Sequence, residues 1–158
     1  MGAVMDCEAF DGVELVELQQ IETEGGSVLH MLRSDSPLFR KFGEVYFSEV
    51  YSGVVKAWKR HKEMTQHFAV PVGKIRVVLF DDREGSKTRG KVCEYVLGRP
   101  DNYALLRIPP MLWYGFKCIS ESPAIVANCT DLPHVPAESE RALPDDPQFF
   151  YDWDEVGK

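Results

Sequence analysis

Lys59 and His61 are the residues of this chain whose types and spacing best suit chemistry. In the predicted strand Val54–His61, period-two alternation places Val55, Ala57, Lys59 and His61 on one face. If this face lines the interior, a cation and an imidazole stand where apolar residues are expected, and their burial is costly unless a ligand or partner satisfies them. The face therefore predicts a site. The alternative is an edge strand on which this face is solvated.

A basic stretch between residues 76 and 89 is a second candidate. Its cations would suit a diphosphate group, and they stand out in an acidic chain. The same residues would also suit a solvated hairpin loop in which they balance Asp81, Asp82 and Glu84. The cations are Arg76, Arg83, Lys87 and Arg89.

Charge and composition exclude several classes of protein. The 158 residues carry a formal net charge of -7, which argues against a nucleic-acid partner. No apolar run approaches the ~20 residues of a membrane span, and no secretory or myristoylation signal is present, so we expect a cytoplasmic protein with no membrane partner. The 4 cysteines form no close pair of the kind that binds zinc, and we expect reduced structural thiols.

Short segments rich in β-branched and aromatic residues must position these side chains. They recur about every ten residues between turn signals, which is typical of a sandwich or barrel. From Leu132 onward prolines and acidic residues accumulate, which predicts an irregular segment laid over the barrel and ending in the aromatic cluster Phe149, Phe150, Tyr151 and Trp153. The predicted strands are Val13–Leu18, Ser27–Arg33, Glu44–Val50, Val54–His61, Gln66–Val70, Lys74–Phe80, Lys91–Leu97, Tyr103–Ile108, Trp113–Ile119 and Ala124–Thr130.

The spacing around Lys59 resembles the first sequence motif of the cupin superfamily, in which a His-x-His pair and a Glu bind a divalent metal inside a jelly-roll barrel. The matching positions are Gly53, Lys59, His61, Gln66 and Gly73, and Tyr114 stands at the fourth ligand position. Only His61 remains a metal ligand, because Lys59 is a cation, Gln66 is uncharged and a phenol binds Zn²⁺ or Fe²⁺ poorly. We therefore predict no metal and no cofactor.

Short pieces along nearly the whole chain, from about Gly12 to Trp153, share the order and spacing of one known family. They are Gly12–Leu15, Gly53–Trp58, Ser86–Lys91, Ile108–Pro110, Tyr114–Phe116, Cys129–Asp131, Glu140-Arg141, Asp145–Pro147 and Asp152-Trp153. On these pieces the chain resembles the dTDP-4-dehydrorhamnose 3,5-epimerase family, which are metal-free cupins of sugar-nucleotide metabolism. The resemblance implies an all-β, cupin-type jelly-roll β-barrel. It implies a single domain over residues 1–158, with a core of about 12–131 and an irregular C-terminal segment of about 132–158.

The family's reaction indicates what the site must contain. A ketone at C4 of the sugar acidifies the C–H bonds at C3 and C5; a base removes a proton, donors hold the enolate, and an acid returns a proton to the opposite face. The family uses a His steered by an Asp as the base and a Tyr as the acid. By resemblance, the Asp falls on Asp146, the base on Lys59, the Tyr on Leu132 or Pro133, and a further His of the family on Tyr114.

These departures from the family change the expected roles. A lysine beside Asp146 is held in its charged form with a raised pKa, so we expect Lys59 to bind an enolate or phosphate, or else to form an ion pair that fills a former site. His61 is the expected base and Tyr114 the expected acid; a hydrogen-bonded pocket histidine and a core aromatic are the alternatives. The predicted site is His61, Asp146 and Tyr114 for catalysis, with Lys59, Gln66, Arg76 and Arg89 for substrate binding.

The resemblance implies an isomerase-class enzyme of polysaccharide or other glycan biosynthesis, acting on a nucleotide-diphosphate sugar. It would enolise an NDP-4-keto-6-deoxy sugar and epimerise one carbon or two. A keto-isomerase stays open, because related cupins that move the ketone between C3 and C4 carry a His at the position of His61. The other class is a catalytically silent cupin that binds a nucleotide sugar or supports a partner enzyme, and a metal-dependent oxygenase is third. A homodimer is expected, because family members pair through their sheets and open sheet edges need covering.

Overall fold

β-Strands make up the regular structure of the chain. The computed structural model describes residues 4–5 and 7–155, and its only helical pieces in that part are 3₁₀ turns at Cys7–Ala9, Pro136–Glu138 and Pro147–Phe149. Among these residues there is no helix long and apolar enough to cross a membrane. The strands are β1 (Val4–Met5), β2 (Glu14–Glu17), β3 (Gln20–Thr23), β4 (Gly26–Leu29), β5 (Glu44–Val50), β6 (Val55–His61), β7 (Gln66–Val72), β8 (Lys74–Phe80), β9 (Val92–Gly98), β10 (Ala104–Ile108), β11 (Trp113–Cys118), β12 (Ala124–Thr130) and β13 (Ser139–Arg141).

Two sheets face each other and form the barrel. One sheet has the order β1-β9-β8-β11-β6-β13 and the other β2-β10-β7-β12-β5, while β3 and β4 form a separate hairpin. On β8, Ile75, Val77 and Leu79 alternate into the space between the sheets, where they meet Phe68 and Phe116. Beside this apolar filling, an open cavity remains near β6 and β11.

A second apolar cluster covers the outer face of the sheet that contains β6. Trp58 is 1% exposed and stacks on Phe149 with ring centroids 4.3 Å apart, and Trp153 packs beside it. The C-terminal segment therefore lies over the barrel as predicted for Phe149 and Trp153, whereas Phe150 is 71% exposed. Within that segment, β13 pairs with β6 and adds a strand that the sequence did not indicate.

The predicted strands agree with the structure where both ends are marked by turn residues. Glu44–Val50, Lys74–Phe80 and Ala124–Thr130 have the predicted bounds. The predicted strand Ser27–Arg33 is shorter, since β4 ends at Leu29 and pairs with β3, which was not predicted.

The cysteine prediction is wrong for one pair. Cys7 and Cys93 form a disulfide, because β1 pairs in parallel with β9 and brings Cys7 close to Cys93. A sequence separation of 86 residues hides this proximity from spacing arguments. Cys118 and Cys129 are free and buried, as expected.

Candidate active site

A cavity of about 700 Å³ lies between the two sheets, beside β6 and the C-terminal segment. Its walls combine aromatic and aliphatic surface with a few polar groups, which is the usual make-up of a site for a small organic ligand. The apolar walls include Phe68, Phe116, Val126 and Leu143. The polar groups are Tyr46, Ser48, Lys56, Lys59, Tyr114, Asn128 and Arg141.

Lys59 and Tyr114 stand directly opposite each other on β6 and β11, and both side chains line the cavity. His61 contacts Tyr114, so the prediction that Lys59 and His61 face the same side is confirmed. The alternation fails further back along β6, because the register shifts between Tyr114 and Phe116. As a result Val55 and Ala57, both predicted to share the face of Lys59, pack against the outer aromatic cluster, although both also border the cavity.

Two cations meet on this wall of the cavity. Arg141 of β13 is the ladder partner of Lys59, and neither forms an ion pair with a carboxylate among the described residues. Burial lowers the pKa of Lys59, Arg141 lowers it further, and Glu138 opposes the shift. The predicted raised pKa is therefore wrong, because the neighbour of Lys59 is a cation and not Asp146.

His61 lies behind the cavity wall. It is 2% exposed; its Nδ1 is 2.5 Å from Oε1 of Glu138 and its Nε2 is 3.4 Å from Oη of Tyr114. Burial lowers the pKa of His61, although Glu138 favours the charged form. His61 thus reaches the cavity through Tyr114.

Gln66 supports the cavity from below. Its Oε1 accepts a hydrogen bond from Nδ2 of Asn128 at 3.0 Å, and the same amide nitrogen donates to Oη of Tyr46 at 2.8 Å. Gln66 is 1% exposed and does not line the cavity. Its hydrogen bond orients Asn128, which in turn bonds to Tyr46, and Asn128 and Tyr46 both line the cavity.

The other predicted residues lie elsewhere. Asp146 accepts hydrogen bonds from the backbone and side-chain nitrogens of Gln148, both at 3.0 Å, and caps a 3₁₀ turn. Arg76 alternates with the inward residues of β8, so it faces the outer cluster near Tyr151, and Arg89 is exposed in the loop after β8. The expected contacts of Asp146, Arg76 and Arg89 with the site are therefore corrected: none of the three lines the cavity.

Glu138 and Arg141 are the groups that sequence reasoning missed. Arg141 belongs to the Glu140-Arg141 piece of the family resemblance, which was a usable signal. Glu138 had none, because a strand of three residues gives too short a pattern to place its neighbours.

No group of three or more His, Cys, Asp and Glu side chains in the described part of the chain is arranged to hold a metal ion. The cavity offers amine, guanidinium, phenol and amide groups instead. Those groups donate hydrogen bonds to anions.

Comparison with known proteins identifies the family. The sequence model of dTDP-4-dehydrorhamnose 3,5-epimerase matches residues 11–158. The chain belongs to the dTDP-4-dehydrorhamnose 3,5-epimerase family. This confirms the family resemblance, and with it the cupin-type jelly-roll fold.

Similar proteins agree with this assignment. The chain is 38% identical to the probable low-salt glycan biosynthesis epimerase Agl13 of Haloferax volcanii, over 89% of this chain and 92% of that protein. It is 32% identical to the spore coat polysaccharide biosynthesis protein SpsL of Bacillus subtilis, over 90% and 95%. A crystal structure of a dTDP sugar isomerase from Desulfovibrio desulfuricans G20 superposes with a TM-score of 0.92 at 59% identity, covering 94% of this chain and 95% of that one.

Proposed function

We propose that the cavity is the active site of a nucleotide-sugar epimerase that enolises an NDP-4-keto-6-deoxy sugar in glycan or polysaccharide biosynthesis. Family membership supports the reaction class. The observation that supports the site is a pair of cations, Lys59 and Arg141, which lie directly opposite each other on neighbouring strands and form no ion pair with a carboxylate of the described residues. Like charges in that position destabilise a sheet, and a bound anion would remove the penalty.

The proposed substrate supplies that anion. A diphosphate carries negative charge when it binds, and an enolate develops it during the reaction, so the two cations stabilise both substrate and transition state. Arg141, at the exposed rim, suits the diphosphate. Lys59 is half-buried, which suits it to bind the enolate oxygen or to exchange the proton on the carbon beside the ketone.

Lys59 is proposed to move a proton as well as to hold charge. Burial and Arg141 lower its pKa, so the amine and ammonium forms are closer in free energy than in an ordinary lysine. A smaller free-energy difference between the two forms makes it easier for the group to take and return a proton. This role differs from the ion-pair filler that the sequence left open.

Proton exchange tests the proposal directly. Wild-type protein in heavy water, with dTDP-4-keto-6-deoxyglucose and its UDP, GDP and CDP counterparts, should place deuterium beside the ketone of at least one substrate, followed by NMR. Lys59→Met should slow the exchange by about 10²-fold or more. Lys62→Met, which removes an exposed lysine outside the cavity, is the matched control and should exchange at the wild-type rate.

Two results of these exchange experiments would contradict the proposal. Nucleotide sugars that bind by calorimetry but exchange no proton in wild-type protein would make the chain a silent binding module. Exchange that is unchanged in Lys59→Met would remove Lys59 from the reaction.

The proposal also includes the oligomeric state of the protein and its cellular compartment. We propose that the chain forms a single domain that pairs as a homodimer, since apolar side chains such as Ile21 and Val28 of the β3–β4 hairpin and Phe47 of the edge strand β5 are 45%, 52% and 68% exposed. We also propose a cytoplasmic location, because a charged nucleotide diphosphate sugar does not cross a bilayer unaided.

A further inference from the structure

Glu138 holds His61 in one tautomer. Oε1 of Glu138 faces Nδ1 of His61 at 2.5 Å, while Oε2 accepts backbone hydrogen bonds from Glu63 and Met64 at 2.9 and 3.0 Å. Burial opposes ionisation of Glu138, but these three hydrogen bonds outweigh it, and its pKa lies below the ordinary value. An ionised carboxylate only accepts hydrogen bonds, so Nδ1 of His61 carries the hydrogen.

Nε2 of His61 is then a free acceptor that points at Tyr114. Burial keeps His61 neutral, and the nearby Lys59 and His134 add to the lowering of its pKa against the pull of Glu138. Burial also raises the pKa of Tyr114, so the phenol keeps its proton. The 3.4 Å from Oη to Nε2 is long for a resting hydrogen bond, as such contacts often are before substrate binds.

We propose that Tyr114, His61 and Glu138 form a proton relay that ends at the cavity wall, a role that rests on the proposed function of the cavity. Oη of Tyr114 takes the proton from the carbon beside the ketone while the phenolic proton passes to Nε2 of His61. The C–H electron pair moves to the ketone oxygen as the enolate, a new O–H bond forms on Tyr114, and Glu138 holds the resulting imidazolium. The reverse transfer returns a proton to carbon, and nothing is oxidised or reduced.

The relay gives the cavity a second proton-carrying group beside Lys59. Tyr114 and Lys59 are ladder partners on β11 and β6, so their side chains leave the same face of the sheet side by side and meet the same part of a bound sugar. Tyr114 can take the proton from the carbon beside the ketone while the ammonium of Lys59 donates a hydrogen bond to the enolate oxygen. His61 keeps its expected role as the base, but it acts on the substrate through Tyr114.

Three variants and two controls test the relay. Tyr114→Phe, His61→Gln and Glu138→Gln should each lower kcat for deuterium exchange by about 10²-fold or more, with the affinity for dTDP measured by calorimetry within about twofold of wild type. Tyr103→Phe removes a buried phenol that bonds to the carbonyl of His30 outside the cavity, and Glu140→Gln removes a carboxylate on β13 that bonds to Arg60. Both controls should exchange at close to the wild-type rate.

A tautomer measurement keeps the proposal falsifiable if a variant folds poorly. Nitrogen-15 histidine NMR of wild-type protein should show His61 as the Nδ1–H form, and Glu138→Gln should populate the other tautomer. An Nε2–H form in wild type would overturn the relay, as would wild-type exchange rates in folded Tyr114→Phe and Glu138→Gln. Absence of exchange in wild type itself would count against the proposed function and not against the relay geometry.

Discussion

Lys59 shows how a residue can be costly to the fold and useful to the reaction. It is half-buried, it has no carboxylate partner among the described residues, and its ladder partner Arg141 is also a cation. Each of these features opposes the charged form, and together they lower the pKa of the amine. The same features favour the binding of an anion. The burial and like charge that destabilise the site without a ligand therefore also contribute to its affinity for an anionic substrate.

Lys59→Met should therefore stabilise the protein while it slows proton exchange. Removing one of two like charges in a ladder should raise the free energy of unfolding by about 0.5–1 kcal/mol, measured by urea unfolding at neutral pH without nucleotide. Lys62→Met should leave the unfolding midpoint unchanged. A lower midpoint in Lys59→Met would show that Lys59 supports the fold.

The pH dependence of the free energy of unfolding also reports the lowered pKa of Lys59. The folded-state pKa of Lys59 lies below the unfolded value of 10.5, so the unfolded chain binds more protons between those two values. The stability of the wild type should therefore rise with pH across that window, relative to Lys59→Met. Equal slopes in the two proteins would mean that Lys59 titrates normally.

The pairing of β6 with β11 shows where strand patterns work and where they fail. Alternation correctly placed Lys59 and His61 together, because only one intervening residue separates them. It failed at Ala57, where the register shift turns neighbouring residues toward the outer cluster. A bulge depends on the partner strand, so a pattern along one strand cannot reveal it.

Close packing explains why a glycine, Gly115, stands at the register shift between β6 and β11. A Cβ on Gly115 would lie 2.4 Å from Cβ of Ala57 and 2.8 Å from Cζ2 of Trp153. Gly115→Ala should therefore destabilise the protein by about 1–3 kcal/mol in thermal or urea unfolding. Adding Ala57→Gly should recover part of the loss, and Gly25→Ala, which meets nothing within 4 Å, is the control. No recovery in the double variant would place the conflict at Trp153 alone.

The site was less predictable than the barrel because its residues, like the bulge, depend on partner segments that are distant in sequence. Long buried strands such as Lys74–Phe80 have clear apolar patterns and turn residues at their ends, so their bounds followed from the sequence. Glu138 and Arg141 come from a strand of three residues and the turn before it, and their partners His61 and Lys59 are far away in the chain. Asp146 was assigned by resemblance, and its own turn uses its carboxylate instead.

At the scale of the whole molecule, overall charge and local charge have opposite signs. The chain carries a net charge of -7, yet the cations in its cavity have no carboxylate partners in the described part of the structure. An anionic ligand is thus repelled by most of the surface and attracted at one place. That contrast favours binding in the cavity over binding elsewhere.

The disulfide between Cys7 and Cys93 ties the beginning of the chain to the sheet that carries β6 and β11. It closes a loop of 86 residues in sequence, so reduction should lower the free energy of unfolding by up to about 4 kcal/mol. Thiol titration of the unreduced, denatured protein should find the two free thiols of Cys118 and Cys129. Cys118→Ala should leave the effect of reductant intact, and a count of four thiols would contradict the bridge.

The pairing of β13 with β6 also has a consequence for synthesis on the ribosome. Glu140 meets Arg60 across 80 residues of sequence, so the wall that provides Glu138 and Arg141 emerges after the barrel strands β2 to β12. A nascent barrel can pack its core before that wall exists, with Lys59 unopposed and His61 without its carboxylate. Packing of the barrel core and completion of the proposed site are therefore separable steps, and the second requires a segment translated after the barrel strands.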